Sequence, residues 1–421
     1  MTKRSDSQPL QQTPVSSTPV PREEPSTCPV EVSVVIPCLN EARTIGMCVK
    51  KALAAFQETG LRGEVVVADN GSTDGSPEIA EKLGARVVRA PLKGYGSALR
   101  KGIGEARGAF VIMGDADGSH DFSDIPRFVE QWRKGYPLVL GDRFRGEIKP
   151  GAMSWLHKHI GNPFLTAILN LFFGAGIGDV YCGMRGFSPD LFRLLDLRAN
   201  GMEFAVEFVL KAVKARTRIA EIPITVWPDQ RGRPPHMRTF RDGWRTIRLL
   251  LLCAPNWLFL TPGGFLLVLG LAIVLWLFPG QECIGPACFD NRTMLYGVLL
   301  VLLGFHIFSI GLFAKLFSYT EGFSGNERSF ETWLKRVKLE HGLLLGAIMT
   351  AVGTAGDIFI LWQWASSGFG LLHNVRGVAF WSLCLFLGIE IVFSSFFLSM
   401  LGISRETYIG NRATSQKGTS V

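Results

Sequence analysis

At 421 residues the chain is too long for one ordinary domain core, so two units are the default expectation. Its formal net charge is +8 with a pI near 9.1, a balance that suits nucleic acid, anionic lipid headgroups or phosphate-bearing substrates. No RNP, zinc-finger or helix-turn-helix pattern is present, and much of the charge falls just before the first long apolar run, so membrane and phosphate are preferred over nucleic acid.

Residues 1–29 are rich in Ser, Thr, Pro and Gln, lack the apolar centre of a secretory signal, and read as a disordered tail. From Val32 strand and helix patterns alternate. Val32–Pro37 is a strand closed by proline, Arg43–Thr59 a helix and Glu64–Asp69 a second strand. Pro77–Leu83 is a helix with proline in its first turn and Gly84 after it, followed by a strand over Ala85–Arg89. Tyr95–Ala106 is helical and Ala109–Met113 is a fourth strand. Such alternation predicts an α/β unit with a mostly parallel sheet, whose ligands bind beyond the carboxyl ends of the strands.

Residues 238–257 carry Arg238, Arg241, Arg245 and Arg248 at spacings of three and four, beside Phe240, Trp244 and Ile247. That pattern puts the arginines on one helix face and predicts an interfacial amphipathic helix. Ala152–Phe173 is a second candidate. Four apolar runs follow, at 258–278, 294–317, 343–364 and 378–401, each about the ~20 residues that span a bilayer core. They predict a transmembrane domain over 258–404.

The loop between the second and third runs holds Lys315, Arg328, Lys335, Arg336 and Lys338, and the tail over 405–421 holds Arg405, Arg412 and Lys417. The other two loops hold one basic residue each, which predicts a cytosolic N-terminal α/β unit, middle loop and tail. Six of the eight cysteines lie in apolar or strand-like settings and read as reduced. Cys283 and Cys288 share an outward loop, as a small disulfide or as two free thiols.

The sharpest chemical signal is Gly114-Asp115-Ala116-Asp117-Gly118, directly after a strand. Two carboxylates at i and i+2 there suit a hard divalent cation, Mg²⁺ or Mn²⁺, that neutralises a diphosphate leaving group. Asp69 opens a turn after the second strand, where a carboxylate can accept from a base N–H or simply close an Asx turn. Pro37 and Glu41 follow the first strand and reach the same edge. Lys93-Gly94-Tyr95-Gly96 lacks the third glycine of a dinucleotide fingerprint, where Leu99 stands, and is rejected as one.

Taken in order, the chain resembles the family 2 glycosyltransferases of GT-A fold, in the dolichyl- or polyprenyl-phosphate hexosyltransferase branch that includes dolichol-phosphate mannose synthases and polyprenyl-phosphate glucosyltransferases. The resemblance rests on VVIPCLNE at Val34–Glu41, ADNGSTDGS at Ala68–Ser76, KGYGSALRKG at Lys93–Gly102, GDADGSHD at Gly114–Asp121, GDRF at Gly141–Phe144, GDVYCGMRGF at Gly178–Phe187 and IAEIPITV at Ile219–Val226. RGRPPHMRTFRDGWR at Arg231–Arg245 is similar to a bacterial subgroup described as dolichol-phosphate glucose synthase-like.

The resemblance implies a GT-A unit over 30–237, Asp115 and Asp117 on the metal and donor diphosphate, and Pro37, Glu41 and Asp69 around the nucleoside. It implies Lys93 near the donor cleft, Arg143 and Arg231 gripping the acceptor phosphate and departing diphosphate, and Asp179 and Arg185 shaping the sugar and acceptor site. Glu203 and Glu207 are weaker carry-overs. Asn70 replaces a second Asp, Ser119 stands where mannose synthases carry a metal-side Gln, and His157 and Lys158 stand where relatives carry Arg.

The implied reaction is inverting transfer of glucose or mannose from UDP-glucose or GDP-mannose to polyprenyl or dolichyl phosphate, at the cytosolic face of a bacterial inner membrane, with a homo-oligomer left open. Two rivals are a processive polysaccharide synthase, for which no Q-x-x-R-W is present, and a non-catalytic membrane module or lipid flippase.

Overall fold

The computed structural model describes residues 30–233, 238–320, 330, 332, 339–370 and 374–417, with residue 320 and residues 402–417 as backbone alone. The expected tail over 1–29 and the loop residues Arg328, Lys335, Arg336 and Lys338 lie outside them.

Seven strands form one sheet: β1 (Val32–Cys38), β2 (Gly63–Asp69), β3 (Arg86–Arg89), β4 (Phe110–Met113), β5 (Leu138–Ile148), β6 (Arg185–Phe187) and β7 (Ile219–Val226). Their order is β3-β2-β1-β4-β6-β5-β7. Only β6 runs antiparallel to its neighbours. β1 and β4 are near-continuous runs of Val, Ile, Phe and Met because both of their faces are covered.

Alternation sends Val34 and Ile36 to one face and Val35 to the other. The first face packs on α1 (Ile45–Thr59), α2 (Ser76–Lys82) and α4 (Ile125–Arg133). The second packs on α3 (Tyr95–Glu105), α5 (Asn162–Phe173), α6 (Pro189–Leu195) and α7 (Phe204–Lys214). Each fully buried phenylalanine, such as Phe110, Phe122 or Phe128, contributes roughly 1.5–3 kcal/mol. In the parallel register Cys38 lies opposite Asp69, and Val35 opposite Met113, so β1, β2 and β4 end along one edge.

α8 (Thr239–Leu252) buries Asp242, Thr246 and Leu250 at i, i+4 and i+8 against the catalytic unit. Its other face leaves Phe240 and Trp244 86% and 62% exposed, with Arg238, Arg241, Arg245 and Arg248 also exposed. The stretch from Trp155 through α5 likewise exposes Trp155, Ile160, Phe164 and Leu171. Trp257 stacks on Phe172 at 5.5 Å, and Lys214 Nζ donates to the Cys253 carbonyl at 3.1 Å, tying α5 and α7 to the segment that leads from α8 into the apolar domain.

That domain contains α9 (Thr261–Leu277), α10 (Asn291–Thr320), α11 (Leu339–Ser366) and α12 (Val375–Lys417). Four segments are long and apolar enough to cross a membrane: Asn256–Leu277, Asn291–Tyr319, Leu339–Ser366 and Val375–Leu401. α12 continues past the last of them to Lys417, where the sequence suggested a separate tail after residue 404. Between α9 and α10, β8 (Glu282–Ile284) and β9 (Ala287–Phe289) form a hairpin closed by a Cys283–Cys288 disulfide.

Glycines bring the helices together in pairs. A Cβ on Gly263 of α9 would sit 2.7 Å from the Phe308 nitrogen of α10, and one on Gly346 of α11 would sit 2.7 Å from the Gly388 oxygen of α12. Small residues at such seams replace the hydrophobic drive that lipid cannot provide.

Candidate functional site

The loops after β1 and β2 are laced together. Ser72 Oγ accepts from the Asn40 amide at 2.9 Å, and Asn40 Oδ1 accepts from the Thr73 amide at 2.8 Å. Ser76 Oγ accepts from the Glu41 amide at 2.8 Å, and Asp74 Oδ2 from the Ala42 amide at 2.9 Å. Asn40 pays for this geometry with a left-handed φ of 57°.

Asp69 is buried and closes its own Asx turn, accepting from the amides of Gly71 and Ser72 at 3.2 and 3.1 Å. Pro37 pairs with Ala68 one step before that edge. Asn70 holds the next loop: its amide donates to the Leu92 carbonyl at 2.7 Å and its oxygen accepts from the Gly94 amide at 2.7 Å. Lys93, between those two anchors, is exposed at the rim.

Asp115 and Asp117 follow β4. Asp115 Oδ1 accepts from the Tyr95 hydroxyl at 2.8 Å. His120 Nδ1 accepts from the Asp115 amide at 3.2 Å, so its proton sits on Nε2, and its 3.5 Å approach to Asp115 Oδ2 is not a charged pair in this tautomer. Gly183 backs the carboxylate; a Cβ there would approach Asp115 Oδ2 to 2.5 Å.

Asp117 Oδ1 accepts from the Ser119 amide and hydroxyl at 2.9 and 2.6 Å, and Oδ2 takes the Arg231 guanidinium. Burial pushes the Asp117 carboxyl up, but the Arg231 guanidinium and the Ser119 donors outweigh it and hold it below the usual carboxylate range. The loop that carries Arg231 is pinned here too: the Gln230 amide donates to the Asp117 carbonyl at 3.1 Å, and the Trp227 amide to that of Ser119 at 2.9 Å.

Arg231 also meets Asp229 at 2.9 Å and Glu41 at 3.5 Å, and Arg233 reaches Glu41 at 3.0 Å. Burial raises the Glu41 carboxyl, with the two arginines opposing it. Glu41, Asp117, Asp229 and Arg231 thus form one cluster where the ends of β1 and β4 converge.

Arg143, after the buried half of β5, forms a two-pronged pair with Asp179, with Nη2 at 2.8 Å. Burial would lower the Arg143 guanidinium, but Asp179 overrides it, and Asp115 acts on it in the same direction. The same arginine depresses His157, a ring already lowered by burial, so the start of the exposed 155–173 stretch lies beside Arg143.

Arg185, to which the resemblance gave a part in shaping the sugar and acceptor site, faces the protein interior. It is fully buried and spends its guanidinium on three backbone carbonyls: Cys182 at 2.9 Å, Val180 at 2.7 Å, and Ala205. Burial lowers its guanidinium, with the Cys182 thiol and the Tyr95 hydroxyl opposing. Glu207 is likewise turned inward, accepting from the Ala199 amide at 2.8 Å, and Glu203 accepts from the Gly201 amide at 3.2 Å. Sequence reasoning missed Tyr95 and His120; the former lay inside the rejected dinucleotide motif, the latter inside GDADGSHD. A cavity of about 480 Å³ lies elsewhere, lined by Arg145, Arg216 and Glu221 among others, and none of Asp115, Asp117, Arg143 or Arg231 borders it.

Among the described residues no group of three or more His, Cys, Asp or Glu side chains could enclose a metal ion. The two strand-end carboxylates still suit a hard cation that takes its remaining oxygens from a substrate diphosphate and water. The guanidinium on Asp117 marks that carboxylate as a place that draws positive charge.

Residues 33–195 match the family described as Glycosyl transferase family 2, and residues 312–402 match the Glycosyltransferase family 2 C-terminal transmembrane region. The chain is 39% identical over 373 residues to the low-salt glycan biosynthesis hexosyltransferase Agl6 of Haloferax volcanii, covering 88% of its own length and 89% of that protein. It is 30% identical over 216 residues to the glycosyltransferase AglJ of the same organism, covering 51% of itself and 69% of AglJ. Among solved structures, glucosyl-3-phosphoglycerate synthase from Mycobacterium tuberculosis, in complex with Mn²⁺, UDP and glucosyl-3-phosphoglycerate, overlaps 53% of this chain and 78% of its own at 23% identity and a TM-score of 0.41.

Proposed function

The chain belongs to the family 2 glycosyltransferases, with a GT-A unit followed by that family's transmembrane region, and on that premise we propose that it moves a hexose from a nucleotide-sugar onto a polyprenyl phosphate at the membrane surface. What supports this reading is the meeting, at one sheet edge, of two strand-end carboxylates with the Arg231 guanidinium, which sits on Asp117, together with the pull that Asp115 exerts on Arg143. The hexose is supported by the name of the Haloferax relative. The lipid acceptor is supported by two helices that expose Trp, Phe and Arg next to four membrane-length spans.

In this reading Asp115 and Asp117 hold Mg²⁺ or Mn²⁺, which when bound neutralises charge on the departing nucleoside diphosphate. The chain's own groups do the rest. Tyr95 and His120 fix the Asp115 carboxylate and backbone. Arg231, paired here with carboxylates, exchanges them for a phosphate, for which a guanidinium fork is well shaped. Arg143, held by Asp179, faces the acceptor phosphate with His157 beside it.

That phosphate is ionised at neutral pH, so its oxygen attacks the anomeric carbon without a strong base, while the carbon–oxygen bond to the diphosphate breaks. Positioning and charge compensation supply the catalysis. Direct displacement inverts the centre and gives a β-linked product from an α-linked donor. Pro37, Glu41, Asp69 and Lys93 line the donor side, and the catalytic unit lies on the cytosolic face.

A donor panel with mass detection of lipid product tests the reading: purified full-length protein is expected to yield hexosyl polyprenyl phosphate from one nucleotide-sugar, and Asp117→Ala to abolish it. Near wild-type turnover by Asp117→Ala refutes the metal assignment, and a soluble sugar acceptor used in place of lipid phosphate refutes the acceptor.

A further inference from the structure

Charge inside a bilayer is costly and is met by a partner wherever it persists. In α11, Asp357 is half-buried and finds a partner within the chain, accepting from the Ser382 hydroxyl of α12 at 3.1 Å. His306 and Glu390 are different. His306 lies near the middle of the span over 291–319 and Glu390 near the middle of that over 375–401, so both stand at the depth of the hydrocarbon centre.

They bond to each other, Nδ1 to Oε1 at 2.9 Å, yet 64% of the His306 side chain and 35% of the Glu390 side chain remain uncovered by protein. Lipid tails offer neither donors nor acceptors to the rest of the imidazole and carboxylate. Around the pair, Leu303 and Ile310 on α10 and Phe386 and Phe393 on α12 are 52%, 39%, 57% and 70% exposed. With His306 and Glu390 they recur at spacings of three and four, the seam pattern of helices that pack along their length.

We infer that this face of α10 and α12 is the contact surface for a second copy of the chain. The charge pattern selects that occupant. A donor and an acceptor stand side by side, so a two-fold axis beside them lets His306 of each copy meet Glu390 of the other, a self-complementary arrangement that a lipid or an arbitrary helix does not match. The intramolecular bond then becomes half of a four-membered polar cluster sealed from lipid by the flanking Leu, Ile and Phe side chains.

The test is single-molecule photobleaching of full-length protein carrying one fluorophore, in phosphatidylcholine–phosphatidylglycerol vesicles over a dilution series. Wild type is expected to show two-step bleaching well above random co-occupancy. Leu303→Trp, a change that a lipid-facing position tolerates, is expected to weaken association about tenfold, as is Glu390→Leu. The exchange His306→Glu with Glu390→His is expected to restore pairing. Melting temperatures of the variants separate lost association from lost fold. One-step bleaching of wild type at every dilution overturns the proposal, as does wild-type association by folded Leu303→Trp; the pair is then a clasp within one chain only.

Discussion

Tyr95 shows how a residue outside the metal pair can govern it. Its hydroxyl, on the first turn of α3, fixes one oxygen of Asp115, while the other lies between Gly183 and the His120 ring. A hydrogen bond to a charged group contributes roughly 1.5–3 kcal/mol, so Tyr95→Phe is expected to lower turnover by about ten- to a hundredfold in a lipid-product assay. Arg185 belongs to the opposite class. Arg185→Met would leave three buried carbonyls unpaired, and a loss on the order of 3 kcal/mol should appear as a lowered unfolding temperature.

Asp117 gives a pH dependence. Its carboxyl is depressed in the folded protein, so its contribution to stability is present above the unfolded value and fades as pH falls through the folded one. Arg231→Gln removes one cause of the depression, and acid unfolding should then begin at a higher pH in a melting series. The position of the two aspartates at a strand end was legible because the apolar run of β4 stops at Met113, directly before Gly114. The direction of Arg185 was not, because a motif fixes a position along the chain and not the side of the sheet on which a side chain ends.

At the scale of elements, β1 to β4 and the helices between them were readable from apolar runs, prolines and glycines, and their ends shift by only a few residues in the structure. β5, β6 and β7 escaped for separate reasons. β5 is half buried and half exposed, with a charged second half that mimics a loop. β6 has three residues, one an arginine. β7 contains Pro223, which interrupts a strand pattern. The inversion of β6 could not be read at all, since strand direction depends on partners far away in sequence.

α8 was legible because its arginines and its aromatic stripe repeat at helical spacing. Its buried side adds a finding: Thr246 lies beside the Tyr181 hydroxyl, two residues from Asp179, so α8 touches the loop that holds Arg143. Reversing Arg241 and Arg248 to Glu should therefore reduce transfer on membranes by more than it weakens nucleotide binding, as read by lipid-product yield against donor titration. Equal losses would argue against a docking role.

For the whole molecule, an odd number of crossings separates the catalytic unit from the hairpin between α9 and α10. Cys38, Cys48 and Cys182 remain free thiols in the catalytic unit, while Cys283 and Cys288 are joined. With the catalytic unit in the cytosol, an impermeant maleimide applied to intact cells after impermeant reductant should label Cys283 and Cys288 and no cysteine of the catalytic unit.

The glycine seams carry one more consequence, and it concerns biogenesis. α9 with α10, and α11 with α12, meet backbone to backbone along Gly263 and Gly346, whereas α10 and α12 are joined across larger side chains such as Phe313 and Phe397. The first hairpin can close as soon as α10 leaves the translocation machinery, before α11 and α12 exist, and the second can close on its own seam without waiting for the first. A bulky residue at either seam should therefore reduce the amount of protein that reaches the membrane intact, while the molecules that do arrive keep their catalytic rate.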